Sequence, residues 1–525
     1  MKVKDVQNVK KSIVKIMGIH QMFHYTQPYM ETEEQQYGGS GWFFDIDDLG
    51  KVPFKKNGVR FLFTNFHVID SVVSKQVDIC FPNQGFNRLR ASVEVVVPTL
   101  DCAILKIDPN AEHPCWNDGG SIHEFLDAIP NLKLDNTPIK GNSQQVTAVG
   151  FPSLSTDYQL CNGVISGRGL GMIQLNISFN GGISGSPLLH KNKVIGICTA
   201  SEAEAEAIGL AVPIQQVLRF FRNWATFEDP LMRIPSWGIE GETLTKDYLR
   251  YHNMDDIQGV LVKGTVPGLK GLEKRDIILG VNSDKRYNID CDGLVKVDWT
   301  DKRVPISNNE FILSLNPDNI SLSVYKHRTK KRVTVSIRPE VINFKTYEKH
   351  HAWEEIPYCT FAGSVWMDLS MNHLEEDEDE DEEPTVPAEQ SIPLAVAVKD
   401  TMHMKSIVVC THIPGQTYIS NQRKLCPFDI LLKINKTKIK DVNHMQEVLV
   451  DLAKNIDTNR YAMFEMKRGK VYFDLERVIQ QEKALEEKFD EQIMLTNMET
   501  RKRKRTTYLN FFDNKQLQKH LRIVS

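Results

Sequence analysis

Three short segments carry residues whose types and order could do chemistry together. Thr64-Asn-Phe-His67-Val-Ile sets a histidine just past a hydrophobic strand, where a loop can present it. Leu100-Asp101-Cys-Ala-Ile-Leu-Lys-Ile107 sets an acid immediately before a strand that should be buried. A carboxylate at a core edge is costly unless it is hydrogen-bonded. Asn180-Gly-Gly-Ile-Ser184-Gly-Ser-Pro187 holds a serine in a glycine-rich turn. These are a nucleophile, a base and an orienting acid. Serine is a weak nucleophile at neutral pH and needs a base to take its proton. Histidine suits that task because its pKa lies near working pH. The aspartate would hold the imidazole tautomer and stabilise the imidazolium. Attack on a carbonyl creates an oxyanion, and glycines let backbone N–H groups converge on it. Gly182 and Ser184 supply those N–H groups in this reading, with Ile183 shaping the loop between them.

Taken singly, each segment has an ordinary structural explanation: a strand-end histidine, a turn acid, a tight turn. The order His67, Asp101, Ser184, with all three in one β-rich stretch, is what favours a catalytic set.

The elements that must position these residues read as short strands. β-branched runs alternate with Gly, Pro, Asn and Asp turns from residue 10 to about 225: 12–16, 59–63, 91–97, 103–107, 146–149 and 194–197. Many short strands over some 200 residues suggest a sandwich or a pair of barrels. Residues 214–226 have the spacing of a closing amphipathic helix. Residues 230–235, bounded by prolines, read as a linker.

The whole chain has 525 residues, enough for three to four domains. Its 41% hydrophobic and 25% charged content excludes a wholly disordered or fibrous protein. Lys+Arg 64 against Asp+Glu 68 gives a net charge of −4, and one run of acids, 375–383, dominates that balance. Neither sign nor size implies a nucleic-acid or membrane partner. The opening residues are too polar for a signal peptide. The nine cysteines have no CxxC spacing. Free thiols in an intracellular protein are the expectation, and no metal site.

The first stretch resembles a chymotrypsin-fold serine protease of the HtrA/Deg family. Beyond the three segments, Gly39-Ser-Gly-Trp-Phe is similar to that family's opening strand. Gly150-Phe-Pro, Gly163-Val-Ile-Ser-Gly167, 194–199 and 209–213 are similar to its later strands. The nucleophile turn departs from the family pattern, having Ile183 and Ser186 where Asn and Gly are common. The resemblance implies a specificity pocket lined by Phe179, Ser201 and Ile208, with no acid at its base. A small or medium apolar residue before the cut follows. It also implies independence of ATP or any cofactor, and the chain has no Walker-type phosphate loop.

The second stretch resembles a PDZ domain. Gly259-Val260-Leu261-Val262 matches the loop and strand that receive a peptide carboxy-terminus, and 271–282 follows at the expected distance. Residues 425–435 echo 274–282, an internal repeat that points to a second, divergent PDZ domain. Residues 356–366 resemble the plant-type Deg proteases that have two PDZ domains and no targeting signal. The expected architecture is therefore mainly β. A double-barrel protease domain spans 10–228, and PDZ-like α+β domains span 236–339 and 340–480, the second interrupted by 375–383. A helical tail spans 481–525. The resemblance implies a homo-oligomer, a trimer or a multiple of trimers.

Three features stand apart. Arg501-Lys-Arg-Lys-Arg505 reads as a nuclear signal or a solvated basic tail, so cytoplasm or nucleus is the expected location. If the source were a large DNA virus, the virion would be a further address. His350-His351 with Glu354-Glu355 lacks the zinc-binding spacing and reads as solvated surface. The alternating Glu-Ala stretch 201–207 reads as a surface loop beside the specificity pocket. The functional expectation is an ATP-independent serine endopeptidase acting on unfolded or exposed protein segments, with peptide C-termini recruited at the first PDZ domain. The rival from another class is a non-proteolytic PDZ scaffold or chaperone with a silent protease domain.

Overall fold

A computed structural model describes residues 9–481, apart from 31, 56, 83, 86, 118–119, 138–142, 153–156, 170, 202–207, 255, 375–403, 416 and 423. The acidic run, the tail beyond 481, the basic cluster 501–505 and most of the Glu-Ala stretch lie outside the described residues. Within them no helix is long and apolar enough to cross a membrane.

Twelve strands form two closed six-stranded barrels. The first uses β1 Ile13–Gln21, β2 Glu34–Phe44, β3 Arg60–Thr64, β4 Gln76–Cys80, β5 Arg88–Val97 and β6 Cys102–Ile107. They run in the order β1-β2-β3-β6-β5-β4, all pairs antiparallel. The second barrel uses β7 Gln145–Gly150, β8 Gln159–Gly169, β9 Met172–Leu175, β10 Pro187–His190, β11 Lys193–Ser201 and β12 Gly209–Pro213. Closure leaves neither barrel a free edge. The first core is aromatic: Trp42, Phe44 and Phe63 are fully buried, with the last two stacked at 4.0 Å between centroids. The second is aliphatic, built on Ile165, Ile173, Leu175, Ile183, Leu188 and Ala211.

The structure differs from the sequence reading at several points. Gly39–Phe43 lies in the second strand of its barrel, because β1 pairs ahead of it from Ile13↔Trp42 outward. The closing helix is Ile214–Asn223, and it stops there because the N–H groups of Trp224 and Ala225 both return to Phe220 O. Residues 230–235 are not a free linker. Val96 N–H donates to Pro230 O and Met232 N–H to Val96 O, both at 2.8 Å, and the Met232 side chain is buried. Apolar side chains inside a short connection find the barrel wall before they find water.

A third sheet follows, with strands in the order Ile239–Thr243, Val260–Thr265, Ile277–Asn282, Ser321–Tyr325, Arg332–Val335. Reciprocal bonds between Ser236 and Glu340 close its ends. This sheet packs on the second barrel within one compact unit, which holds β1 and residues 34–342. The helix Asn309–Ser314 lies against Ile214–Asn223. Trp224 Nε1 donates to Leu313 O, and the Arg168 guanidinium meets the Glu310 carboxylate at 3.3 Å with both side chains mostly buried. Arg219 stacks 5.3 Å from the Trp299 ring centroid.

The other unit holds residues 22–33 and 343 onward. Its sheet runs Tyr358–Phe361, Ser364–Asp368, Val408–His412, Ile430–Ile434, Tyr461–Met466, Gly469–Asp474, with the helix Val442–Lys454 packed against it. Residues 22–33 connect β1 to β2 in sequence yet pack in this unit: Tyr25 Oη donates to Lys349 O, and Phe23 stacks on His351. His350, read as solvated surface, is instead 2% exposed. The two sheets beyond the barrels are consistent with PDZ domains. They also repeat each other in atomic detail. Asp276 and Asp429 each accept from the N–H three residues back, those of Glu273 and Cys426. The residues before them, Arg275 and Phe428, both have positive φ. In each copy the same two backbone bonds tie the aspartate segment to the neighbouring strand, at Val262 and at Cys410.

Candidate active site

The first barrel presents His67. β3 is buried along its last four residues and ends where Thr64 Oγ1 donates to Ser40 O at 2.9 Å. Phe66 and Val68 are buried on either side, so His67 between them must point outward. Its side chain is 45% exposed. Asp101 caps the 3-10 turn Pro98–Leu100 in the left-handed region (φ 40°, ψ 50°), held by its N–H to Pro98 O. That conformation is uncommon for a residue other than glycine and is sustained only by surrounding contacts.

The Asp101 carboxylate accepts three hydrogen bonds. Oδ1 takes the His67 backbone N–H at 3.0 Å, and the two oxygens lie 3.0 and 2.9 Å from His67 Nδ1. Thr199 Oγ1, from β11 of the second barrel, donates to Oδ2 at 2.5 Å. The carboxylate is thereby satisfied, and it fixes the imidazole with Nδ1–H toward it. Nε2 is left as the acceptor.

Ser184 sits in the turn before β10 and is partly exposed. Two overlapping turns shape the loop: Ile183 N–H donates to Asn180 O and Ser186 N–H to Ile183 O. The Ile183 side chain is fully buried in the second core, so apolar packing anchors the loop there. Its N–H is already used by Asn180, which removes Ile183 from the set that could hold an oxyanion. The N–H groups of Gly182 and Ser184 donate to no acceptor among the described residues. Ser40 clamps the turn from the first barrel: its Oγ donates to Gly182 O and its N–H to Ser184 O. Gly185 has φ +86°, and a Cβ there would lie 2.0 Å from Ser40 O. Only glycine fits. His67 and Ser184 themselves share no hydrogen bond in this resting form. Such bonds often tighten only when substrate binds.

Phe179, Ser201 and Ile208 gather around Gly209. Ser201 is its register partner, Phe179 lays its ring over it, and Ile208 precedes it in the chain. Phe179 is buried and Ile208 half-buried.

The peptide-binding assignment at Gly259, Val260, Leu261 and Val262 is overturned. Val260, Leu261 and Val262 pair with Thr243, Glu242 and Gly241 on one side. On the other side they pair with Ile278, Ile277 and Asp276. A peptide can add only to an unpaired strand edge. Gly259 has a structural task instead: a Cβ there would lie 2.2 Å from Ile278 O. The free edges of this sheet belong to Ile239–Thr243 and Arg332–Val335.

Sequence reasoning missed Thr199, Ser40 and Asn65, the groups that hold the set together. Thr64-Asn65 precedes His67 in plain view, but a polar residue at a strand end carries no sign of a partner 120 residues away.

Comparison with known proteins adds a second line. The trypsin-like peptidase domain family matches residues 39–197, which contain all three candidate residues. Protease Do-like 4, a mitochondrial protein of Arabidopsis thaliana, is 25% identical over 381 residues, covering 69% of this chain and 65% of the relative. Serine protease HTRA4 of Mus musculus is 24% identical over 365 residues, covering 64% of this chain and 63% of the relative. This chain thus spans less than two thirds of either relative. Among solved structures, the HtrA-type protease AlgW with a decapeptide has a TM-score of 0.43 at 19% identity, covering 64% of this chain and 98% of that one. Residues 39–197 match the trypsin-like peptidase domain and lie within the two closed barrels, and over about two thirds of its length the chain is similar to Do-like and HTRA serine proteases.

Proposed function

We propose that the protein is a serine endopeptidase that cleaves unfolded or exposed protein segments without ATP. Ser184 Oγ attacks the substrate carbonyl while His67 Nε2 takes its proton. The tetrahedral oxyanion is held by the N–H groups of Gly182 and Ser184. His67 then gives the proton to the departing amine, leaving an acyl-enzyme. Water, deprotonated by His67, releases the acyl group and restores Ser184. Asp101 holds His67 throughout. The observation that carries this reading is the Asp101 carboxylate, which takes His67 Nδ1 and so leaves Nε2 as the acceptor, while Asn65 ties Asp101 to the Ser184 turn, whose Gly182 and Ser184 N–H groups meet no acceptor among the described residues.

Phe179, Ser201 and Ile208 are uncharged residue types, and a pocket lined by them favours a small or medium apolar residue before the scissile bond. Recruitment of substrate by the sheets beyond the barrels and assembly as a trimer, or a multiple of trimers, complete the proposal, with cytoplasm or nucleus as its location.

The test is labelling by a fluorophosphonate probe, wild type beside Ser184→Ala, with digestion of an unfolded protein in parallel. Labelling and digestion by wild type alone support the reading. Labelling without digestion retains the nucleophile and moves the question to substrate delivery. Folded wild type that neither labels nor digests gives way to the non-proteolytic scaffold.

A further inference from the structure

Catalysis across two barrels requires that their parts keep one spacing. His67 and Asp101 come from the first barrel, Ser184 from the second. One side chain bonds to both parts. Asn65 is fully buried, two residues before His67. Its Nδ2 donates to the backbone carbonyl of Asp101 at 2.8 Å, and its Oδ1 accepts the N–H of Gly185, the residue after Ser184. The orientation of the amide is dictated by chemistry. A carbonyl can only accept and an N–H can only donate, so a flipped amide would leave two buried clashes of like groups.

We propose that Asn65 is a positioning residue for the reaction, a rigid two-ended spacer that sets Ser184 against the His67–Asp101 pair. This rests on the protease reading above. Three observations carry it. Asp101 holds a left-handed backbone conformation, and Asn65 supplies a donor to its carbonyl. Gly185 N–H also reaches Cys198 O at 2.9 Å, so Asn65 is not needed to satisfy that group; its bond there adds alignment between barrels. Ser40, the other clamp on the turn, bonds Gly182 and Ser184 but makes no bond to Asp101 or His67. Asn65 is therefore the one side chain among the described residues that bonds both the acid's backbone and the nucleophile's turn. A misplacement of about 1 Å can cost on the order of 10²-fold in rate.

The test separates chemistry from binding and from folding. The concentration dependence of fluorophosphonate labelling yields a maximal rate, kinact, and a half-saturating concentration, KI, per folded molecule. Asn65→Ala should lower kinact by about 10- to 100-fold with KI within about twofold of wild type. A purely structural role would lower the folded fraction and leave kinact per folded molecule unchanged. Asn65→Asp keeps the volume and the acceptor for Gly185 but turns a carboxylate oxygen toward Asp101 O; it should also lower kinact, and it decides the matter if Asn65→Ala does not fold. A kinact within twofold of wild type in a folded variant, or a change confined to KI, overturns the proposal. Wild type and Ser184→Ala run alongside. Wild type that does not label overturns the protease reading and this one together. Labelled wild type with an unaltered Asn65 variant overturns this one alone.

Discussion

The sharpest test of the site is Asp101→Asn, a change of one atom. The carboxylate receives three donors: the His67 backbone N–H, His67 Nδ1–H and Thr199 Oγ–H. An amide offers one accepting end and one donating end. If its NH2 faced the His67 backbone N–H, two donors would confront each other at a site with little solvent, costing about 1–3 kcal/mol. The amide oxygen therefore takes the Oδ1 place. The NH2 takes the Oδ2 place, where His67 Nδ1 lies 2.9 Å away. Thr199 can rotate its hydroxyl to accept. An imidazole that keeps this place accepts at Nδ1 and carries its proton on Nε2. In that tautomer His67 cannot take the proton of Ser184. The expected loss is about 10⁴-fold in the rate of acylation, or about 5 kcal/mol of barrel-to-barrel cooperation in the transition state, without loss of fold. Fluorophosphonate labelling kinetics measure the rate, and circular dichroism checks the fold. A folded Asp101→Asn protein that labels within about tenfold of wild type would falsify the assignment of the tautomer to Asp101.

Gly185→Ala should abolish labelling, since its Cβ would lie 2.0 Å from Ser40 O on a backbone with φ +86°. Gly415→Ala, where a Cβ meets nothing within 4 Å, is the harmless control, and equal rates for the two would contradict the packing argument. Glu310→Ala should destabilise the unit by about 3–5 kcal/mol in denaturant unfolding, because it strands Arg168 as an unpaired, mostly buried cation. Burial pushes the Glu310 carboxyl up in pKa while Arg168 and Arg219 pull it down, so a cost under 1 kcal/mol would show that the cations find water. In the last sheet two groups oppose each other with pH. Burial raises Asp368 to about 6, so its contribution is present at low pH and lost as pH rises towards 6. Burial lowers His373 to about 4, so its contribution grows as pH rises from 4 to 6.5. The two contributions oppose each other, and Asp368→Asn, which removes one of them, should gain about 3 kcal/mol over wild type between pH 4 and 6; parallel curves for the two proteins would refute the assignment.

The order His67, Asp101, Ser184 was legible in the sequence because each residue sits in a local setting that advertises it. Phe66 and Val68 bracket His67, Cys102 begins a buried strand after Asp101, and glycines surround Ser184. The repeat of 274–282 in 425–435 was legible for the same reason: an aspartate capping a turn needs only its near neighbours, and both copies kept them. Strand content and two barrels' worth of alternation were also written locally, in residue types that suit a half-buried pleat.

What failed was whatever depended on partners distant along the chain. Gly259-Val-Leu-Val262 has the composition of a peptide-receiving strand, yet composition cannot tell an edge from an interior, and pairing with Gly241–Thr243 and Asp276–Ile278 made it interior. Residues 230–235 looked like linker until Val96 bonded both Pro230 and Met232 to the barrel wall. By itself the sequence determined which side chains could do chemistry and which turns could present them, since propensity and hydrophobic period act over a few residues. Only the tertiary structure decided that Thr199, Ser40 and Asn65 would hold those side chains at one spacing. A hydrogen bond between residues 98 or 142 positions apart exists only after both barrels have closed.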